Sequence, residues 1–299
     1  MTKTTDHAAT DHAAGDHLYE GLADEHFGDE RWAFCTGFTN ALEGIDTTIP
    51  DNVDADALAD YCLMLGDDAL VMSHRLQEWV TRLPELEEET AVANIALDLL
   101  GQARMLLARA GTVLGRTEDD LAFFRDAQDF RNVRLVEPVD DDFAKLVIRL
   151  MVFSTWRLAL LERVRDVADP VLGAIAAKGV KELTYHRDYA AGWVLRLGDG
   201  TQVSQRRMTV AVERVWPLIS ELWRHCGAQD ALGITAPRQP VLDVLADVFG
   251  QATLTLPTDP RELGAVDGRT GRDGIHTEAL GYLLAELQSV ARADPEATW

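Results

Sequence analysis

From Asp54 onward, apolar residues fall at positions 58, 61, 62, 65, 69, 72, 76, 79, 80 and 83. These steps of three, four and one are the signature of an amphipathic helix of about seven turns. Pro84 is placed to stop it. A second helix is predicted after Pro84, on the stripe Val92, Ile95, Leu99, Ala103, Leu106, Ala110 and Val113, ending at Gly115. Thr117 with Asp120 reads as the cap of a shorter helix over 118–127. A third long helix runs from about 141 to 168, with Phe143, Val147, Leu150, Ser154, Leu158 and Leu161 on one face. Asp169-Pro170 starts a fourth, striped by Leu172, Ile175, Gly179, Leu183, His186, Ala190, Trp193 and Leu197 and closed by Gly198-Asp199-Gly200. A fifth helix is predicted from Ser204 to His225, and two more over 239–251 and 277–292.

Helices of about 25–28 residues are ~40 Å long at 1.5 Å per residue. Two antiparallel pairs of that length, with short turns inside each pair, make a four-helix bundle. The stretch 115–141 then serves as the crossover between pairs, which is the ferritin-like arrangement. The expected fold is all-α, a ferritin-like four-helix bundle with additional C-terminal helices, over 51–299. Residues 1–50 read as an acidic N-terminal extension, partly disordered. In it Asp-His-Ala-Ala at 6–9 recurs at 11–14, and His7, His12 and His17 repeat at spacing five. Such a tract suits a solvated tail, with metal binding as the alternative. Trp32, Phe34 and Phe38 leave room for a short docking helix over 19–45.

Composition narrows the partners. The chain has 299 residues, 47% hydrophobic, and a formal net charge of −22. Such a charge is repelled by nucleic acid and by anionic membranes, so neither is an expected partner. Only four of the 28 basic residues are lysine (Lys3, Lys145, Lys178 and Lys181), and the acidic residues are mostly Asp. An Asp-rich, Lys-poor surface resembles salt adaptation, and a preference for Arg over Lys set by the genome is the alternative. Cys35, Cys62 and Cys226 form no Cys-x-x-Cys, which fits a reducing cytoplasm. No uninterrupted apolar run reaches the ~18 residues of a membrane span, and the first residues carry no apolar signal-peptide stretch.

Ferritin-like bundles that hold two iron ions take one Glu from each of two helices and Glu-x-x-His from each of the other two. The i, i+3 spacing puts both ligands on one inward face. The residues three positions before the eight histidines are Thr4, Ala9, Ala14, Ala23, Val71, Leu183, Leu222 and Asp273. No Glu-x-x-His exists, and the single Asp-x-x-His (Asp273, His276) lies in a loop-like Gly-Arg-Asp-Gly. His-Glu-x-x-His, Gly-x-Ser-x-Gly and the P-loop are also missing. Gly268, Gly271 and Gly274 lack the strand-to-helix context of a nucleotide site and read as a turn. The expected catalytic, metal-binding and cofactor-binding sets of this chain are therefore empty.

Several strings resemble the PaaC family, a ferritin-like component of phenylacetyl-CoA epoxidase, the 1,2-phenylacetyl-CoA monooxygenase. They are Leu65-Gly66-Asp67-Asp68, Arg75-Leu76-Gln77-Glu78-Trp79, Pro84-Glu85-Leu86-Glu87, and the run Asn94-Ile95-Ala96-Leu97-Asp98-Leu99-Leu100-Gly101-Gln102-Ala103-Arg104. Further along come Lys181-Glu182, Tyr185-His186, Arg196 to Thr201, Gly274 to Glu278 and Leu283 to Gln288. The resemblance spans about 58–299. It implies a heteromeric oxygenase of phenylacetate catabolism in which a related catalytic subunit holds the di-iron centre and binds the CoA thioester. A reductase supplies electrons from NADPH, helped by a small further component. The PaaC-type component is implied to be a structural partner with a degenerate site. Set against its catalytic relative, the ligand positions fall near Ala69, at Leu99 and Gln102, and at Leu183, with His186 kept. The implied partners are the di-iron catalytic subunit, other epoxidase subunits and further copies in a larger assembly.

Polar residues remain on the apolar stripes. Asp98, Gln102 and His186, with Asp68, are expected either to bond one another where iron sits in the relative or to find separate local partners, because an unpaired buried polar group costs ~1–3 kcal/mol. Thr277 and Glu278 open the last helix, as an N-cap and packing face or as a docking element for the catalytic partner. Two other readings stay open: an active di-iron oxygenase with atypical ligands, and a stand-alone helical module binding a CoA thioester.

Overall fold

The computed structural model describes residues 41–42, 44–83, 85–235, 237–257 and 264–296. The histidine tract, most of the 19–45 segment, Cys35 and Pro84 lie outside them. Every regular element among the described residues is helical, and the one β-bridge is the isolated pair Val266–Arg269.

Four long helices make the bundle: α1 (Ala55–Gln77), α2 (Leu86–Leu114), α4 (Phe143–Val164) and α5 (Pro170–Gly198). Between them, α3 (Glu118–Phe123) belongs to the crossover. α1 packs along α2, α4 along α5, and α2 meets α5 to join the two pairs. Their inward stripes are those read from the sequence, with Leu58, Leu65, Ile95, Leu99, Val147, Leu150, Leu172 and Leu183 all buried. After α5 come α6 (Gln202–Val215), α7 (Gly227–Ala231), α8 (Arg238–Gln251), α9 (Glu278–Leu287) and α10 (Ser289–Ala293). α6 and α8 pack on α4 and α5, and α7 packs on α1. The architecture is the ferritin-like bundle with added C-terminal helices.

Local chemistry sets the boundaries. Asp54, Asp142 and Asp169 each cap the helix that follows by accepting a backbone N–H. Pro170 sits at the first turn of α5, where its missing N–H is harmless. Gly115 ends α2 at φ 64, a left-handed conformation that glycine adopts without a Cβ penalty. By length and composition α2 could cross a membrane, but half of its most apolar window is buried inside the bundle.

Five helices are bounded differently from the sequence reading. α1 ends at Gln77, and residues 78–82 continue as tight turns, with Trp79 N–H donating to the Leu76 carbonyl. Pro84 therefore does not set this end, and Trp79 and Leu83 stay buried beyond it. α3 stops at Phe123, because Arg125 turns inward to Asp67. α4 is shorter at both ends than 141–168. The fifth helix starts two residues early, at Gln202, and tightens into a 3-10 helix over Trp216–Trp223. Pro217 lacks the N–H that an α-helix needs there. The last predicted helix is broken at Gln288, whose side-chain amide donates to the carbonyls of Ala122 and Arg125, at 3.0 Å each.

Candidate functional site

The seam between α2 and α5 carries the polar residues of interest. Asp98 and Gln102 are one turn apart on α2, and Glu182 and His186 are one turn apart on α5. The helices run antiparallel, so they form two rungs: Asp98 with His186, and Gln102 with Glu182. His186 Nε2 lies 3.0 Å from Asp98 Oδ2; the imidazole is fully buried and the carboxylate is 39% exposed. Gln102 Nε2 donates to Glu182 Oε2 at 2.8 Å. Lys178, largely exposed, lies 2.8 Å from the other Glu182 oxygen. Further along the seam, Glu88 accepts from Tyr189 Oη at 2.6 Å and Trp193 Nε1 at 2.9 Å. Burial and the Glu88 carboxylate together push the Tyr189 phenol upward.

A third helix reaches the lower rung. Arg157 of α4 is fully buried and its Nε donates to Gln102 Oε1 at 3.0 Å. Its two terminal nitrogens have no hydrogen-bonding protein atom among the described residues. Burial lowers the Arg157 guanidinium to about 10, and the nearby Asp68 carboxylate opposes that shift. Gly179 makes the approach possible: a Cβ there would stand 2.6 Å from Leu161 Cδ1 and 3.3 Å from the Gln102 carboxamide carbon.

Asp68 belongs to a different set. Its carboxylate receives Arg272 at 2.8 and 3.1 Å and the Val133 N–H at 2.8 Å. Burial pushes the Asp68 carboxyl up, and the Arg272 and Arg157 charges pull it back. Beside it, Asp67 accepts from the Arg125 guanidinium and from the Arg131 N–H. The four candidate residues are thus divided. Asp98 and His186 bond each other, Gln102 bonds Arg157 and Glu182, and Asp68 anchors the crossover and a C-terminal loop. Arg157 and Glu182 are the members that periodicity alone did not single out. An arginine at an i+3 step from Ser154, on the inward stripe of α4, was the available signal.

Ala69, Leu99 and Leu183 are all fully buried apolar residues. Among the described residues, no three His, Cys, Asp or Glu side chains converge as a metal-holding group. A di-iron centre needs several carboxylates and imidazoles facing one space. Here the His186 imidazole is committed to Asp98, and the Arg157 guanidinium stands beside Gln102. This donor set does not fit the centre.

At the start of α9, Thr277 occupies the N-cap position without a side-chain cap bond. Its backbone N–H donates to Glu137 Oε2 at 2.6 Å, and His276 contacts Glu137 Oε1 at 2.7 Å. Glu278 is exposed and accepts from Tyr282 Oη at 2.9 Å. His276, Thr277, Glu278 and Gly281 line one side of a cavity of about 600 Å³, with Asp126 and Gln128 across from them.

Comparison with known proteins places this geometry. The family described as phenylacetic acid catabolic protein matches residues 43–299. The C component of the 1,2-phenylacetyl-CoA epoxidase of Escherichia coli (strain K12) is 42% identical over 251 residues, covering 81% of this chain and 99% of the relative. With the family match spanning nearly all of the described bundle, the chain belongs to the phenylacetic acid catabolic protein family.

Proposed function

We propose that the chain is a non-catalytic structural subunit of a phenylacetyl-CoA ring 1,2-epoxidase, pairing with a related protein that holds the di-iron centre. One observation supports this above the rest. Where a metal-bearing bundle would direct carboxylates and imidazoles inward, this chain has Ala69, Leu99 and Leu183 buried, Gln102 bonded to Arg157, and His186 bonded to Asp98. A bundle with that interior contributes shape and surface. It buries part of its catalytic partner, which fixes the geometry of the neighbouring site. Obligate interfaces of this kind are large and apolar at their centre.

In this reading the iron belongs to the catalytic partner, and a reductase passes electrons to it from NADPH. The pair associates further into a larger assembly in the cytoplasm. The exposed edge of α9, with Glu278 and Tyr282 beside the cavity under Thr277, is a docking element for the partner.

Co-expression provides the test. The chain is produced with a sequence-related chain from the same genome that has two Glu-x-x-His pairs. The two are expected to co-purify, iron is expected to follow the related chain, and epoxidation is expected to require both. Stoichiometric iron in this chain purified alone, or ring epoxidation by it alone, overturns the proposal. So does tight binding of phenylacetyl-CoA to the isolated chain, which would make it a ligand-binding module.

A further inference from the structure

The chain is acidic, with 28 basic side chains against 50 acidic ones. One exposed cleft reverses that sign. Where the start of α4 meets α6, a cleft of about 290 Å³ is lined by Lys145, Arg206, Arg207 and Arg214, with only Asp141 and Asp142 opposing them. A second cleft of about 250 Å³ shares Asp142 and Arg207 with the first and adds apolar lining from Phe143, Leu197 and Val203.

Helical spacing sets the pattern. On α6, Val203, Arg206 and Val210 stand at steps of three and four, and Arg207 and Arg214 lie one heptad apart, so all five share one face. The opposite face, with Met208, Ala211, Val212 and Val215, is buried against the bundle. Val203 is 62% exposed and Val210 40% exposed. The outward face of a surface helix is ordinarily polar throughout. This one keeps two aliphatic side chains in water among three guanidinium groups.

The cations are loosely held. Arg207 meets Asp142 at 2.9 Å, Arg214 meets Asp141 at 3.2 Å, and Lys145 lies 3.8 Å from Asp141. Pairs this exposed add little stability and are readily exchanged for other carboxylates. The Arg206 side chain has no ion pair or hydrogen bond among the described residues.

We propose that this face of α6 docks an acidic segment of another protein, which sets carboxylates on Arg206, Arg207 and Arg214 and an aliphatic side chain over Val203 and Val210. Charge selects the occupant. Nucleic acid or an anionic membrane would bring an extended negative surface against a molecule of net charge −22, and a second copy brings the same −22. A short acidic segment touches only the patch where the sign is reversed. The surface shares no residue with the cleft at the start of α9, and the inference stands independently of the docking proposed there.

The experiment is fluorescence anisotropy of labelled peptides titrated with the full chain in about 0.1 M KCl. The probe is a short Glu-rich helical peptide with leucines at heptad spacing, and its controls carry Ser for Leu or Lys for Glu. The Glu/Leu peptide is expected to bind saturably. Arg206→Glu/Arg207→Glu is expected to weaken it at least about tenfold, and Val203→Ser/Val210→Ser about threefold, with helix content unchanged by circular dichroism. The proposal falls if the Glu/Leu peptide does not bind, or if charge reversal leaves its affinity unchanged. It falls equally if the Ser control binds as tightly, which marks a plain anion patch, or if vesicles of phosphatidylcholine and phosphatidylserine bind in its place, which marks a membrane face. Should the double charge reversal misfold, Arg206→Glu alone decides, because that side chain has no internal partner to lose.

Discussion

At the scale of single residues, the α2–α5 seam separates what a hydrogen bond adds from what a broken one costs. Asp98 is partly exposed and loses little on returning to water, whereas His186 is fully buried. Asp98→Ala leaves the imidazole unpaired and is expected to lower unfolding free energy by about 1–3 kcal/mol, read by urea titration. Asp98→Ala/His186→Leu removes both partners and is expected to recover most of that loss, because an apolar pair of similar shape leaves nothing unsatisfied. The sequence exposed His186, Gln102 and Asp98 as polar residues on or near apolar stripes, with Asp98 as a candidate partner of His186, but not the Arg157 and Glu182 that bond Gln102. A stripe gives the direction in which a side chain points. It is silent about which residue on another helix meets it, and that pairing follows from the register of two antiparallel helices. Arg157 was hidden for a related reason: a long cationic side chain on an inward face reads as a snorkelling residue until its neighbours are known.

At the scale of elements, caps and breakers were the most legible features. The Thr117–Asp120 capping box, Gly115 and Asp169-Pro170 stand where the sequence placed them. In the box, the Thr117 hydroxyl accepts from the Asp120 N–H at 3.0 Å and the Asp120 carboxylate accepts from the Thr117 N–H at 2.9 Å. Thr117→Ala is expected to cost about 1 kcal/mol by chemical denaturation. The Thr117 bonds hold the Asp120 carboxyl below its ordinary value. A depressed carboxylate stabilises the fold above its unfolded pKa, and that contribution disappears as pH falls through the lowered one. The difference between wild type and Asp120→Ala should therefore shrink on acidification below the ordinary carboxylate range. Less legible were the places where tertiary contacts outweighed local preference, such as the break at Gln288. Gly179 is another, since a helix interior favours alanine by about 1 kcal/mol. Gly179→Ala is nonetheless expected to destabilise by about 1–3 kcal/mol, because its methyl would collide with Leu161 and press on Gln102. Differential scanning calorimetry distinguishes the two signs.

At the scale of the whole molecule, charge is the dominant variable. A net charge of −22 on 299 residues, with 50 acidic side chains against 28 basic ones, makes self-repulsion a standing load on the compact state. Screening relieves it, so Tm is expected to rise as KCl is increased from about 0.1 M toward 2 M. A flat or falling Tm would assign the lysine shortage to genome composition instead. The buried pairs complicate this in an informative way. Arg109 with Asp169, Arg125 with Asp67, Arg134 with Glu221 and Arg149 with Asp140 are shielded from salt by the protein itself. The salt response should therefore come from the surface and leave the interior pairing intact.

Adjacent aspartates in the middle of α1 tie down segments made much later in the chain. Asp67 takes Arg125, and Asp68 takes Arg272, 204 positions downstream. On a ribosome, the first core helix is thus synthesised long before the guanidinium that neutralises its centre. Before that late loop is made, Asp68 lacks the guanidinium that meets both of its oxygens in the finished fold. A chain truncated before Arg272 is therefore expected to be cut faster by protease than the full chain, a comparison that limited proteolysis reads directly.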